Sequence, residues 1–125
     1  MATITVYERA GGMPFFERLV GRFYGAVATD PVLRPLYPEA DLAGAQRRLT
    51  LFLAQYWGGP RTYDDERGHP RLRMRHAPFV IDRAARDRWL ELMRGALAAE
   101  SLEPDVAAQL DAYFEMAADA MQNRS

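Results

Sequence analysis

The sequence predicts an all-α protein, and three observations support this fold class. Apolar residues recur at spacings of three and four in four segments, which is the period of an amphipathic helix. Asp, Pro and Gly-Gly stand at the ends of these segments, where helices begin and end. No segment has the period-two alternation of a strand. The 125 residues suit one domain, which we expect to span 1–125.

The first long helix is predicted over PFFERLVGRFYGAV. Its apolar face consists of Phe15, Phe16, Leu19, Val20, Phe23, Tyr24 and Val27. It should end near Ala28, because Asp30 followed by Pro31 is a helix-start pattern with Asp as the N-cap and Pro in the first turn. A short helix is therefore expected around Val32 to Leu36, closed by Pro38.

Asp41 is the predicted cap of the next helix, which should stop at Gly58 and Gly59. The residues sharing its apolar face are Leu42, Ala45, Leu49, Phe52, Leu53 and Tyr56. The polar stretch from Pro60 to Pro70 has no period and predicts a loop of about ten residues.

Two further helices are predicted in the last third of the chain. After Pro78, Asp82 caps a helix with Ala85, Trp89, Leu92, Met93, Ala96 and Leu97 on its apolar face. Pro104 begins the last, whose apolar face carries Val106, Leu110, Tyr113, Phe114, Ala117 and Met121.

Composition argues against several functional classes. Sixteen basic residues, all arginine, against seventeen acidic ones leave a net charge of −1, which does not favour nucleic acid or a membrane surface as a partner. Without cysteine there is no disulfide, thiolate nucleophile or Cys-ligated metal. The first residues, MATITVYERA, lack a signal-peptide pattern, and no apolar run reaches membrane-span length, so we expect a cytoplasmic protein.

The stretch RGHPRLRMRHAPF holds both histidines, His69 and His76, among arginines and no acid. Leu72 and His76 lie four residues apart, so on a helical turn both point the same way, inward. One interpretation is a histidine at the edge of the core, with one nitrogen satisfied by a backbone carbonyl and the arginines in water.

A second interpretation is a haem ligand. The spacing of the two histidines does not suit zinc, whereas haem supplies four nitrogens of its own and needs one protein imidazole. Arginines such as Arg71, Arg73 and Arg75 can meet its two propionates. Six aromatic residues could line a flat apolar cavity: Phe23, Tyr24, Tyr37, Phe52, Tyr56 and Trp89.

Three long segments of the sequence and one tryptophan together resemble a known protein family. FERLVGRFYGAVATDPVLRPLYP, DLAGAQRRLTLFLAQYWGGPRTY and RGHPRLRMRHAPF, with the tryptophan of DRWLELM, resemble the group II truncated haemoglobins, of the actinobacterial type. The resemblance covers nearly the whole chain except MATITV. It implies a truncated globin fold, a two-over-two helical sandwich around haem b.

The resemblance also implies residue roles. His76 takes the position of the proximal iron ligand, and Tyr24, Tyr37 and Trp89 take the positions that stabilise a bound diatomic ligand. Arg48 and Arg75, with Tyr63, are placed at the propionates, and whether Arg71 or Arg73 joins them stays open. The expected pocket lining is Ala45, Leu49, Phe52, Met74, Phe79, Leu92 and Met93.

The implied function is binding or transport of dioxygen, and of other diatomic ligands such as nitric oxide, at a five-coordinate haem iron. An alternative is a haem enzyme that oxidises nitric oxide or acts as a weak peroxidase. A third hypothesis is a haem-free helical interaction module, which predicts a colourless protein. A reductase and a second copy of the chain, as a homodimer, are candidate partners.

Overall fold

The computed structural model describes residues 4–38, 40–68 and 80–124, and all regular structure within these ranges is helical. The elements are α1 (Val6–Ala10), α2 (Met13–Val27), a 3-10 turn (Arg34–Leu36), α3 (Ala43–Tyr56), α4 (Thr62–Arg67), α5 (Arg83–Ala98) and α6 (Pro104–Met121). The predicted all-α class is confirmed.

Helix α2 lies at the centre of the fold, because it packs against both α3 and α5. All seven apolar residues of its predicted face are buried. Burying one large apolar side chain contributes roughly 1.5 to 3 kcal/mol, so this face is a principal source of stability. Helix α5 packs in turn along α6, which gives two helix pairs, α2 with α3 and α5 with α6.

The segment after α2 turns as Asp30 predicts. The Asp30 carboxylate accepts hydrogen bonds from the backbone N–H groups of Val32 (3.0 Å) and Leu33 (2.9 Å). Regular helix is limited to the 3-10 turn Arg34–Leu36, which is shorter than the predicted helix. This turn delivers the chain to Tyr37.

Helix α3 begins where the Asp41 carboxylate accepts a hydrogen bond from the Ala43 backbone N–H (2.9 Å), and it ends at Tyr56, two residues before the predicted stop at Gly58. Gly58 follows with a φ of +105°, a conformation that favours glycine. The N-terminal segment packs here, since the Tyr7 backbone N–H donates to the Trp57 carbonyl (2.9 Å). Helix α1 within this segment was not predicted.

Helix α4 is a correction to the expected loop from Pro60 to Pro70. Gln55 makes two hydrogen bonds to Asp64, one to the carboxylate and one from the backbone N–H, both 2.9 Å long. Asp64 and Asp65 stand in the first helical turn, where negative charge is favourable. A six-residue helix held by tertiary contacts leaves no period in the sequence.

Helices α5 and α6 start where the sequence predicts. The Asp82 carboxylate accepts a hydrogen bond from the Ala85 backbone N–H (2.9 Å), and Pro104 is the first residue of α6. In the described part of the chain, no helix is long and apolar enough to cross a membrane.

Candidate functional site

A cavity of about 420 Å³ lies between α2, α3 and α5 and is closed by the 3-10 turn and the end of α6. This volume falls in the range of small-molecule and cofactor sites. Its described lining consists of Tyr24 from α2, Leu33, Leu36, Tyr37 and Pro38 from the turn region, Ala45, Arg48, Leu49 and Phe52 from α3, Tyr63 and Arg67 from α4, Ile81, Ala85, Arg86 and Trp89 from and before α5, and Ala118 and Met121 from α6.

Tyr24 and Tyr37 meet at one wall of the cavity. Their ring centroids are 5.5 Å apart with the planes 80° to each other, the edge-to-face arrangement that aromatic rings prefer. Tyr24 is buried, and Tyr37 is half-buried at the end of the 3-10 turn. The Arg34 guanidinium holds the backbone there, donating to the carbonyls of Tyr37 (2.9 Å) and Ala40 (3.1 Å).

Trp89 reaches the same cavity from α5. Its ring packs on Phe23 (5.5 Å between centroids) and on Phe114 (6.1 Å). Phe23 also contacts Tyr24 at 5.0 Å, so the indole and the phenol are fixed through one buried ring. The structure thus brings together the three residues predicted to stabilise a ligand.

The α3 wall carries Ala45, Leu49 and Phe52, which lie on one helical face at spacings of four and three. Ala45 is buried, and its methyl group leaves room in the cavity. Phe52 stacks edge-on against Tyr63 at 5.5 Å, which closes the wall toward α4. All four residues were predicted at the site, and all four line the cavity.

Among the described residues, three arginines line the cavity, and of these three only Arg48 was predicted as a site residue. Arg86 donates to Asp119 (2.8 Å) and Asp87 (3.0 Å), and these hydrogen bonds raise its pKa above the ordinary value. Arg86 precedes Trp89 by three residues and so shares its face, which the sequence could have indicated. Arg67 lies in α4, where a loop was expected.

The remaining wall residues missed by sequence reasoning are apolar: Leu33, Leu36, Pro38, Ile81, Ala85, Ala118 and Met121. Ala85 lies four residues before Trp89, and Ala118 lies three residues before Met121. Helical spacing therefore places the two members of each pair on the same helix face. The turn residues carry no comparable period.

Four predicted cavity residues lie elsewhere. Phe23 is fully buried behind Tyr24 and Trp89, and Met93 is fully buried in the core. Leu92 packs against the same core. Leu92 and Met93 lie roughly 4 to 6 Å beyond Trp89 along the axis of α5, past the cavity. Tyr56 is 50% exposed, with its ring 4.3 Å from that of Tyr113.

The predicted haem-ligand stretch falls outside the described residues. His76, Arg75, Met74 and Phe79 all lie there, as do His69, Arg71 and Arg73. Among the residues that the structure does describe, no three His, Cys, Asp or Glu side chains cluster as a metal site.

Comparison with known proteins decides the family. The model of the family described as bacterial-like globin matches residues 5–123. The chain belongs to the bacterial-like globins. This globin is 40% identical to the group 2 truncated haemoglobin YjbI of Bacillus subtilis over 119 residues, 95% of this chain and 89% of the relative.

Solved structures place the globin among truncated haemoglobins in fold. A thermostable haemoglobin from the actinobacterium Thermobifida fusca is 57% identical, with 96% of this chain and 98% of that chain covered and a TM-score of 0.94. The group II truncated haemoglobin of Bacillus anthracis is 34% identical, with 100% and 96% covered and the same TM-score of 0.94. The predicted two-over-two fold is confirmed. The group II resemblance is also confirmed, whereas the actinobacterial type stays a prediction.

Membership of the globin family implies a haem cofactor and oxygen binding. The cavity fits that group chemically. Apolar and aromatic side chains form most of its wall, as a porphyrin face requires. The guanidinium groups of Arg48 and Arg67 line the same cavity, and a guanidinium binds carboxylates such as propionates. Every polar side chain in the described lining carries an N–H or O–H donor.

Proposed function

We propose that this globin binds haem b in the cavity and retains dioxygen, nitric oxide and related diatomic ligands there. The observation that carries the proposal is the meeting of Tyr24, Tyr37 and Trp89 at one apolar cavity, where each brings a hydrogen-bond donor. Haem, when bound, supplies an iron that takes up diatomic ligands. His76 is the proposed protein ligand to that iron, leaving the iron five-coordinate before a diatomic ligand binds.

The wall that would face a bound diatomic ligand contains both hydrogen-bond donors and apolar side chains. Ala45 contributes no polar group, and Leu49 one turn later forms an apolar barrier. Hydrogen bonding to the ligand therefore falls to the two phenols and the indole. Because most of the surrounding wall is apolar, water competes less for these donors than at the protein surface, which strengthens each hydrogen bond.

The haem edge is the proposed role of Arg48, Arg75 and Tyr63. Arg48 faces the cavity from α3, and Tyr63 is buried at the adjoining α4 wall. A guanidinium binds a carboxylate through two parallel hydrogen bonds, which orients the cofactor as well as binding it.

The effect of these donors can be measured as the rate of ligand release. A net hydrogen bond contributes about 1 kcal/mol, so two or three of them slow ligand release by tens- to hundreds-fold. Tyr24→Phe and Trp89→Phe should each speed dioxygen release by roughly two- to tenfold, measured by stopped flow after mixing with a competing ligand.

Matched controls are available in the same protein. Tyr113→Phe and Trp57→Phe make the same chemical changes at aromatic residues outside the cavity lining. Release should stay at the parent rate in both. If Tyr24→Phe and Trp89→Phe also change the rate by less than about twofold, the assignment of donors is wrong.

The same retention supports a second candidate function. Slow release is unfavourable for a carrier that must unload, but it prolongs the time in which bound dioxygen can oxidise nitric oxide. Repeated conversion of nitric oxide to nitrate with dioxygen and a supplied reductant would support this enzymatic function. Repeated oxidation of an added electron-donor substrate by peroxide would instead support a weak peroxidase. One stoichiometric conversion would favour simple binding. For either role we propose a cytoplasmic protein, with a reductase and a second copy of the chain as candidate partners.

A further inference from the structure

We propose that the ion pair between Asp30 and Arg88 positions the donors of the cavity, setting Tyr37 relative to Trp89 without touching a ligand itself. The inference rests on the proposed function, because its effect is observed through a ligand held in the cavity. Neither residue lines the cavity, and neither was predicted as a site residue from the sequence.

Asp30 is an almost fully buried carboxylate with three donors. Its side chain is 1% exposed, against 36% for that of Arg88. One oxygen accepts from the Nε of Arg88 at 2.5 Å, and the other accepts from the backbone N–H groups of Val32 at 3.0 Å and Leu33 at 2.9 Å. One side chain therefore joins the turn after α2 to helix α5.

The charge state of Asp30 agrees with this role. Burial raises the pKa of the carboxyl, but hydrogen bonds from Leu33, Arg88 and Val32 together outweigh burial and bring the pKa below its ordinary value. The carboxylate is therefore ionised when it accepts these bonds. A charged acceptor makes stronger hydrogen bonds than a neutral one, which fixes the turn more firmly.

The turn transmits this position to Tyr37. Leu33, whose N–H binds Asp30, also lines the cavity and is 2% exposed. Four residues after Asp30, Arg34 donates to the carbonyl of Tyr37 at 2.9 Å. The phenol ring then lies against Tyr24 at 5.5 Å. A shift of the turn consequently shifts Tyr37 relative to Tyr24.

Helix α5 connects the ion pair to the second donor, Trp89. Arg88 and Trp89 are consecutive, and about 100° of helical rotation separates their side chains, so one faces Asp30 while the other faces the cavity. Arg88 also pairs with Glu91 at 3.0 Å, which holds its guanidinium on the helix surface. The pair thus fixes the rotation of α5 where the indole enters the cavity.

The test uses haem-loaded protein with carbon monoxide as the probe, because its stretching frequency responds to nearby hydrogen-bond donors. Arg88→Met and Asp30→Asn each remove the ion pair and should shift or split the infrared band of the probe. Dioxygen release should become roughly two- to tenfold faster, as when one donor is misaligned. Arg88→Lys should restore the parent band, since its ammonium extends one atom beyond the position of Nε and can reach Asp30.

Arg94→Met is the matched control. Arg94 lies on the same helix and pairs with Asp111 at 2.7 Å, but neither residue lines the cavity. The infrared band of carbon monoxide in Arg94→Met should have the same frequency as in the parent. Equal shifts in Arg88→Met and Arg94→Met would indicate general loosening and overturn the positioning role.

A reference variant separates this inference from the proposed function. If Trp89→Phe changes the band and the release rate while Arg88→Met and Asp30→Asn change neither, the positioning role is wrong and the donor assignment stands. If Trp89→Phe also changes neither, both are wrong.

Discussion

At the scale of single residues, glycine at position 59 shows how little space separates the N-terminal segment from α3. A Cβ added there would lie 2.6 Å from a ring carbon of Tyr7 and 2.7 Å from the carbonyl oxygen of Ala54. Non-bonded atoms do not approach so closely unless one of them is displaced. The carbonyl oxygen of Ala54 resists displacement because it belongs to the backbone of a packed helix. Gly59 therefore permits α1 to pack on the end of α3.

Gly59→Ala should lower the free energy of unfolding by about 1 to 3 kcal/mol, the usual effect of overpacking. Gly25→Ala is the matched control, because a Cβ at this exposed position of α2 meets nothing within 4 Å. Alanine is the better helix former, so Gly25→Ala should raise stability by about 0.5 to 1 kcal/mol. Urea unfolding of both variants checks this. Equal effects of the two substitutions would contradict the close packing at Gly59.

Individual site residues were predictable to different degrees. Tyr24, Tyr37 and Trp89 were found through the family resemblance, and the structure places all three at one cavity. Leu92 and Met93 were also expected there but are not part of the described lining. Helical phase tells which way a residue points but not how far along the helix the cavity extends.

At the scale of elements, prediction succeeded where a helix is long. The four long helices have apolar faces of at least three turns. Two of them begin as expected, one at the Asp82 cap and the other with Pro104 as its first residue. Helices α1 and α4 have five and six residues, too few to establish a period. They form because tertiary contacts hold them, such as those of Gln55 with Asp64.

Elements α2 and α5 are also joined by an ion triad that should titrate in acid. The carboxylate of Glu100, just after α5, accepts from Arg18 (2.9 Å) and from Arg22, and its side chain is 8% exposed. The hydrogen bond from Arg18 is the largest influence, and with that from Arg22 it outweighs burial and lowers the pKa of Glu100 below its ordinary value of 4.5.

A carboxyl whose pKa is lowered by folding stabilises the protein above its unfolded pKa, and this stability is lost as pH falls through the folded value. The free energy of unfolding should therefore decline as pH falls below 4.5, and decline less steeply in Glu100→Gln. Unfolding in urea over a pH series measures this. Glu17→Gln, at an exposed carboxylate of α2, is the control and should follow the parent. A Glu100→Gln profile parallel to the parent would contradict the triad's role.

At the scale of the whole molecule, the cavity is assembled from segments far apart in sequence. Tyr24, Ala45, Trp89 and Met121 line one space although nearly a hundred residues separate the first from the last. Periodicity identifies each helix face but not how the helices cross, so the pattern alone did not show which faces meet at the cavity. The family resemblance supplied the arrangement that pattern alone did not.

His76 is the proposed haem ligand on which the function of the molecule depends. The most direct measurement is the absorption spectrum of His76→Ala beside the parent and His69→Ala, all purified after expression with haem available. His69 is the matched control, since it is the only other histidine. The parent and His69→Ala should absorb as haem proteins with an imidazole ligand, whereas His76→Ala should lose haem or the imidazole signature. If His76→Ala binds haem with the parent spectrum, the ligand assignment is contradicted.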